Sequence, residues 1–541
     1  MKRTNYLKGL RVLLAILFFV PILLFFVDFA GALPSGIHKL LHAQLMPAIL
    51  GGMVGIIVFQ FLLALLFGRI YCSVICSAGV LQDIINRIFC IGKKKKKGVR
   101  RFKYHKPANW VRYSILALTV ILAVLGFSEL CLLLDPYSNF GRIATNLFRP
   151  VVMWSNNILA DLLMKVDNYS LYHVTISTVS TAGLIAAIIA LVLFIVLVIF
   201  RGRLFCNTLC PVGALLSLIS RYSFFRISFD KEACTHCGNC EHTCKAEAID
   251  SKNLTIDTSR CVDCFNCVSS CAKGGLQYRY QPVALKKEKA QPAVNATDTM
   301  SIGQTGANSR RSFLATGVTV AASLPVISAI ADEVETCKGD GSCGNHKGKG
   351  KGHGQKKWPP LTPPGSISLE RFKDKCTGCH LCVVRCPSQV LRPTGLEYGF
   401  DYMLKPRLAY ISSYCNYECT VCADVCPTGA IKPLTKEEKM TTQVGIATFF
   451  INRCIVKTEG NDCGACSEHC PTQAVHMVPY EGTLTIPHVD PDLCIGCGGC
   501  ESICPVRPMR AIIVKSNEVH KFVEKPKEEE VKEVEVDDFG F

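Results

Sequence analysis

The sequence predicts a multidomain chain in which a four-helix transmembrane α domain is followed by small, cysteine-rich α+β domains. Three observations predict it. Of 541 residues, 49% are hydrophobic and only 19% charged, which sets the chain apart from most soluble enzymes. Four apolar runs approach or exceed the roughly 20 residues that a crossing helix needs. Finally, 32 cysteines are too many for an ordinary cytosolic protein, and the chain is too long for a small disulfide scaffold, so they point to thiolate-bound metal.

The apolar runs are residues 12–27, 45–67, 113–134 and 179–200, the first of them short and containing Pro21. Residues 69–106 carry eleven Lys and Arg, five of them consecutive at 93–97, against the single acid Asp83, whereas residues 135–167 carry three of each sign. By the positive-inside rule the former are cytoplasmic and the latter outside, and four crossings return the chain to the cytoplasm at Arg201. The lysine run is read as that topological marker and not as a nucleic-acid site.

Each pair of runs ends in the same element. Gly68-Arg69-Ile70-Tyr71-Cys72 leads on to Cys76, Gly79 and Leu81, and Gly202-Arg203-Leu204-Phe205-Cys206 to Cys210, Gly213 and Leu215. Two halves built alike have the same orientation and are related by an axis along the membrane normal. Residues i and i+4 share a helix face, so Cys72, Cys76, Cys206 and Cys210 are a further candidate site, four thiolates round one iron or iron–sulfur centre. Two separate pairs of buried thiols are the alternative, and a disulfide is disfavoured on a reducing face.

Six more groups of four cysteines come after the second element. Cys234, Cys237, Cys240, Cys244 and Cys261, Cys264, Cys267, Cys271 share one spacing and start 27 residues apart. Four others start at intervals of 39, 39 and 40, the mark of an internal array. Of these, Cys376, Cys379, Cys382, Cys386 and Cys494, Cys497, Cys500, Cys504 keep the spacing; Cys415, Cys419, Cys422, Cys426 has one extra residue; and Cys454, Cys463, Cys466, Cys470 has a longer insertion. Each group is expected to form a ligand loop, a short helix and a strand. Three thiolates this close wrap one [4Fe-4S] cube, while the fourth points toward a neighbouring cluster. In the first pair this predicts Cys234, Cys237 and Cys240 with Cys271, and Cys261, Cys264 and Cys267 with Cys244. Zinc ribbons space their pairs about 15 to 20 residues apart and do not run into such a series. Roughly six clusters at about −2 each would remove most of the formal charge of +17, so the basic balance does not require nucleic acid.

Between the two arrays a polar linker, 281–308, leads to Ser309-Arg310-Arg311-Ser312-Phe313-Leu314 and a mildly apolar run ending at Ala331. Residues 309–331 have the pattern of a twin-arginine signal or a fifth span, and either would carry the chain beyond residue 331 to the outside. The export machinery is thereby an expected partner. A Gly/Lys-rich linker, 332–365, contains Cys337, Cys343, His346 and His353, read as linker residues, and the absence of Cys-x-x-Cys-His argues against covalent haem. The second array fills 366–515 and an acidic tail 516–541. Cys90 and Cys131 stand alone and are read as small apolar residues.

On these motifs residues 1–280 resemble the NapH-type membrane ferredoxin, the membrane component of a quinol dehydrogenase, with a membrane domain over 1–225 and a cytoplasmic two-cluster ferredoxin over 226–280. Residues 309 to about 515 resemble the NapG/MauM-type ferredoxin, which carries a twin-arginine signal and four clusters. One departure is Ser77, where the family has a proline that Pro211 retains. The resemblance implies bacterial-type α+β ferredoxin domains in a multi-pass protein of the cell inner membrane. It further implies oxidation of membrane quinol and delivery of electrons to a periplasmic cytochrome c or reductase, nitrate reductase being the named case. In the four-cluster domain it implies that the first repeat pairs with the fourth and the second with the third, placing Cys376, Cys379 and Cys382 with Cys504, and Cys415, Cys419 and Cys422 with Cys470.

Quinol oxidation releases protons that the clusters do not accept, so a protonatable group is expected beside a lipid-accessible pocket. The candidates at the outer ends of the spans are Asp28, His38, His42, Glu129 and Asp135. Two other functions fit the same motifs: a cytoplasm-facing carrier between ferredoxin or flavoprotein and quinone, and a maturation or regulatory factor for a partner metalloenzyme. No Gly-x-Gly-x-x-Gly stands in a strand-turn-helix setting, so no nicotinamide site is expected.

Overall fold

The structure, a computed structural model, describes residues 3–93, 102–176, 180–281 and 358–524. The twin-arginine segment, Cys337, Cys343, His346, His353 and residues 525–541 lie outside them, whereas residues 516–522, expected to begin a disordered acidic tail, are part of the strand Ile512–Phe522.

Among the described residues two helices are long and apolar enough to cross a membrane: Tyr6–Val27, within the helix Arg3–Val27, and Thr181–Arg201. Pro21 lies inside the first without ending it. The second and third apolar runs are not continuous helices, contrary to expectation. Residues 45–67 divide into Leu45–Leu50 and Val54–Phe67 at Gly51-Gly52, and the third run stops at Val124 and restarts as Glu129–Leu134 beyond Gly126. Gly52 and Gly126 have φ of +70° and +84°, a backbone that ends a helix at no steric cost when no Cβ is present. Residues 135–167 depart the other way, since they are largely helical: Pro136–Ile143, a π-helical turn Ala144–Phe148, and Arg149–Met164. Asp135 starts this stretch by accepting the amides of Tyr137 at 3.2 Å and Ser138 at 2.9 Å, with Pro136 in the first helical position. Phe19, Phe26, Tyr137 and Phe140 pack tilted or edge-to-face at 5.5 to 6.0 Å and fix Pro136–Ile143 against Arg3–Val27.

The cysteine-rich parts are α+β, as expected. In the first, Phe225–Phe229 pairs antiparallel with Leu276–Tyr280, enclosing the short helices Asn239–Thr243 and Asn266–Ser270. In the second, Thr442–Phe449 pairs antiparallel with Ile512–Phe522. The short helices Leu381–Arg385, Val421–Asp424, Ala465–Glu468 and Gly499–Ile503 repeat one ligand-loop pattern.

The helix Thr181–Arg201 has a different cysteine-rich domain at each end. Ahead of it Ser180 Oγ donates to the Pro393 carbonyl at 3.5 Å, and beyond it the Arg203 amide donates to the Lys245 carbonyl at 3.0 Å. Its 21 residues span roughly 30 Å, the thickness of a bilayer core.

One histidine gives the second domain an acid limit. His520 Nε2 pairs with Thr362 Oγ1 at 2.9 Å, while its buried Nδ1 has no hydrogen-bond partner among the described residues. Burial pulls the pKa of its imidazolium down from 6.5 to about 4. The folded state therefore binds this proton less readily than the unfolded state, so the stability it contributes is complete above pH 6.5 and falls as the pH drops toward 4. Thermal unfolding across that window should show the loss, and His520→Gln should make the slope shallower.

Candidate metal centres

Cysteine spacing and local folding together gather the thiols into sets. Cys234, Cys237, Cys240 and Cys271 line one cavity of about 390 Å³, and Cys244, Cys261, Cys264 and Cys267 another of about 340 Å³. These are the crossed sets that the spacing predicts for the first array. In the second array Cys454, Cys463 and Cys466 meet Cys504 round about 360 Å³, and Cys494, Cys497 and Cys500 meet Cys470 round about 270 Å³. Likewise Cys376, Cys379 and Cys382 interact with Cys426, and Cys415 and Cys422 with Cys386 and Cys419. The first repeat therefore pairs with the second and the third with the fourth, which corrects the expected pairing of first with fourth and second with third. The cause is local: Leu381–Arg385 packs on Val421–Asp424, and Ala465–Glu468 on Gly499–Ile503. Each fourth cysteine emerges from such a helix directly onto its neighbour's loop.

These cavities fit iron–sulfur clusters. Each set brings four thiols round one common space, the ligand number that a cubane cluster takes. Backbone amides point at the fourth cysteines, from Ala248 to Cys244 and Ile431 to Cys426 at 3.5 Å and from Ala511 to Cys504 at 3.4 Å, the outer-sphere contact that holds cluster sulfur. Burial pushes Cys244 and Cys376 up to about 11, and Cys379, Cys466 and Cys497 up to about 12. Without metal these thiols hold their protons at neutral pH, and metal binding must release them. When bound, each cluster supplies one-electron redox chemistry.

A seventh thiol group lies between the repeated elements, which interlock. Arg69 donates to the Cys206 carbonyl at 2.9 Å and stands 3.7 Å from the Cys72 sulfur, while Arg203 donates to the Cys72 carbonyl at 2.8 Å and stands 3.8 Å from the Cys206 sulfur. Each arginine thus touches its own half's sulfur and the other half's backbone. Gly79 and Gly213 allow this approach, because a Cβ on either would stand 2.2 Å from the Cys72 or Cys206 carbonyl. Cys76 interacts with Cys72 and Cys206, and Cys210 with all three. The cysteine pairs do not lie on single helices, as i, i+4 spacing suggested. Tyr71–Val74 ends before Cys76, and the π-helical turn Phe205–Leu209 ends at Cys210, whose extended backbone caps Pro211–Ser220. Pro211 enforces that break by disfavouring helix in the residue before it, and Ser77 keeps the equivalent break without a proline.

This element is also the seat of the two-cluster domain. Asn207 donates to the Ala246 carbonyl at 3.1 Å, and Arg69 and Arg112 donate to the Ser259 carbonyl at 3.1 and 2.9 Å. Asp83, the single acid of the basic segment, pairs with Arg11, Arg203 and Lys245 and so ties the first helix, the repeat and this domain together.

The opposite end of the bundle seats the second domain. Asp28 pairs with Arg385 at 2.6 Å, Glu129 with Lys405 at 3.6 Å, and Asn146 with His380 at 3.1 Å. Arg142 donates to the carbonyls of Gly378 and Thr377. Three candidates for a quinol pocket thereby have partners within the fold: Asp28, Glu129 and the helix cap Asp135. His38 and His42 lie ring against ring at 5.9 Å in the turn Ser35–Ala43, and His42 donates to the Pro427 carbonyl while its buried Nδ1 has no hydrogen-bond partner among the described residues. Sequence reading missed Arg142, Arg385 and Lys405, which no local motif marks. Cys131 rests against the Thr119 carbonyl at 3.8 Å, as expected of a lone packing thiol.

Known families divide the chain along the same lines. A 4Fe-4S dicluster domain matches residues 375–430 and 461–507, another 4Fe-4S dicluster domain matches 226–272, and a 4Fe-4S binding domain matches 45–98 and 183–232. Among relatives, the methylamine utilization ferredoxin-type protein MauM of Methylorubrum extorquens is 30% identical over 152 residues, which are 27% of this chain and 67% of that protein. The chain belongs to the 4Fe-4S ferredoxin-type proteins. This ferredoxin-type chain is also 30% identical to MauM of Methylobacillus flagellatus over 162 residues, 27% of its own length and 63% of the relative's. To the ferredoxin-type protein NapG of Escherichia coli it is 30% identical over 156 residues, 27% of its length and 65% of the relative's. It thus covers less than two thirds of these last two relatives. No solved structure matches it. The ferredoxin-type chain is similar in sequence to NapG and MauM over these residues.

Proposed function

We propose that this protein crosses the cytoplasmic membrane, oxidises quinol at its helical domain and delivers the electrons to a periplasmic cytochrome c or reductase through its four-cluster domain. The observation that carries this reading is the seating of the two cysteine-rich domains at opposite ends of the apolar helix Thr181–Arg201. In this reading the four apolar runs are all crossings, two of them bent at glycines, and residues 309–331 join the two sides. Quinol approaches His38 and His42. The Nδ1 of His42, which has no hydrogen-bond partner among the described residues, takes a quinol proton, and its other nitrogen is held by the carbonyl of Pro427, the residue that follows Cys426. Asp28 and Glu129 serve the seating of the four-cluster domain and not the proton.

Two measurements test this. A C-terminal tag in spheroplasts should be digested by added protease; full protection would overturn the periplasmic assignment in favour of the cytoplasm-facing carrier. His42→Ala should slow cluster reduction by a water-soluble quinol at least tenfold while dithionite still reduces every cluster, and an unchanged quinol rate would remove His42 from the pocket.

A further inference from the structure

We infer that Cys72, Cys76, Cys206 and Cys210 are the four ligands of one further iron–sulfur cluster, shared between the two halves of the helical domain and additional to the six of the ferredoxin arrays. The two 4Fe-4S binding matches each contain one cysteine pair, and neither half alone holds four ligands. The structure brings the pairs together. All four thiols are buried, and they lie within electrostatic reach of one another.

Charge is the second, independent argument. Arg69 and Arg203 are 0% and 1% exposed, and a guanidinium so deep is stabilised by a nearby anion. Arg203 has one in Asp83. The hydrogen bonds of the Arg69 guanidinium go to neutral groups, the Asn207 side chain and the carbonyls of Ser259 and Cys206, besides the Cys72 sulfur, and its buried Nε has no hydrogen-bond partner among the described residues. Asp263 accepts the backbone amide of Arg69 and is within electrostatic reach of its guanidinium, but makes no side-chain hydrogen bond to it. Thiolates fixed by iron supply a negative charge in direct contact with the guanidinium at Cys72, which Asp263 does not touch. The crossed contacts of the two arginines match a single centre on the axis, since each arginine serves both halves at once.

The position adds meaning. Arg69 also donates to Ser259 of the two-cluster domain, and Tyr71, beside Cys72, is within electrostatic reach of Asp135 at the foot of the helix that seats the four-cluster domain. The site therefore lies between the two ferredoxin domains.

The test uses the purified full-length holoprotein, with iron and acid-labile sulfide counted per chain and the reduced protein examined by electron paramagnetic resonance and Mössbauer spectroscopy. Six [4Fe-4S] clusters account for about 24 irons, and the wild type should exceed that by two or four. Cys72→Ser and Cys206→Ser should each abolish the same signal and remove the same irons, and the double variant should lose nothing more. The [4Fe-4S] signals, unchanged, report that each variant has folded. Iron at about 24 in the wild type, or unchanged spectra in both variants, would overturn the inference. Two signals lost separately, one per variant, would overturn the sharing. Absence of the [4Fe-4S] signals themselves would instead count against the proposed electron-transfer role.

Discussion

Replacing Cys426 with serine is expected to remove the cluster held by Cys376, Cys379 and Cys382 and to leave that of Cys415, Cys419 and Cys422 in place. A serine hydroxyl keeps the shape but does not ionise as a thiol does, so the set loses its fourth ligand and about four irons per chain. Combining Cys426→Ser with Cys376→Ser should cost no further iron, since both serve one cluster. Combining it with Cys504→Ser should remove about eight, because Cys504 completes the set of Cys454, Cys463 and Cys466. Pairing of the first repeat with the fourth would give the reverse: Cys376→Ser and Cys504→Ser would be the redundant pair. Iron analysis of the purified single and double variants therefore decides the order of the array, and an additive loss for Cys376→Ser with Cys426→Ser would refute the adjacent arrangement.

That arrangement marks the boundary of what the sequence discloses. Three ligands of each cluster sit within a few residues of one another, so spacing alone fixes them, and in the first array it fixes the fourth because only one other repeat is present. In the second array four repeats at nearly equal intervals leave the partner open, and helix packing between Leu381–Arg385 and Val421–Asp424 decides it. The seventh thiol set is legible because its element is written twice. The arginines that bind it together are not, since Arg69 and Arg203 in isolation read as ordinary markers of a cytoplasmic loop. Asp28 and Glu129 stand out as ionisable groups at span ends, but the Arg385 that engages Asp28 lies 357 residues away, beyond any motif. Apolar runs likewise conceal their interruptions. Gly51-Gly52 and Gly126 are compatible with a continuous helix on composition, and only a backbone in the left-handed region shows that the helix has ended.

Arg142→Met is expected to unseat the four-cluster domain without emptying it. The Arg142 guanidinium is 1% exposed and donates to the carbonyls of Leu132 at 2.6 Å, Gly378 at 3.1 Å and Thr377 at 3.2 Å. It joins the end of the helix Pro136–Ile143 to the loop between Cys376 and Cys379. Methionine fills much of the volume but satisfies none of these acceptors, and each buried carbonyl left unpaired costs about 1–3 kcal/mol, so several kcal/mol are removed from one contact. Lysine keeps the charge but has no planar fork and should restore the seating only in part. The cluster ligands are untouched, so iron content should stay at the wild-type value while amide hydrogen exchange rises together in residues 132–146 and 376–382. Reduction of the four-cluster domain by quinol should slow at least tenfold, with dithionite reduction unimpaired, because a displaced domain no longer holds Pro427 against His42. If exchange and quinol kinetics both remained at wild-type values, the ion pairs of Asp28 with Arg385 and Glu129 with Lys405 would have to carry the seating alone. Those pairs each join a buried group, Asp28 at 6% or Lys405 at 1%, to a partly open one, Arg385 at 14% or Glu129 at 18% exposure, so they add to the seating. The fully buried fork of Arg142 supplies the further hydrogen bonds whose loss the variant reads.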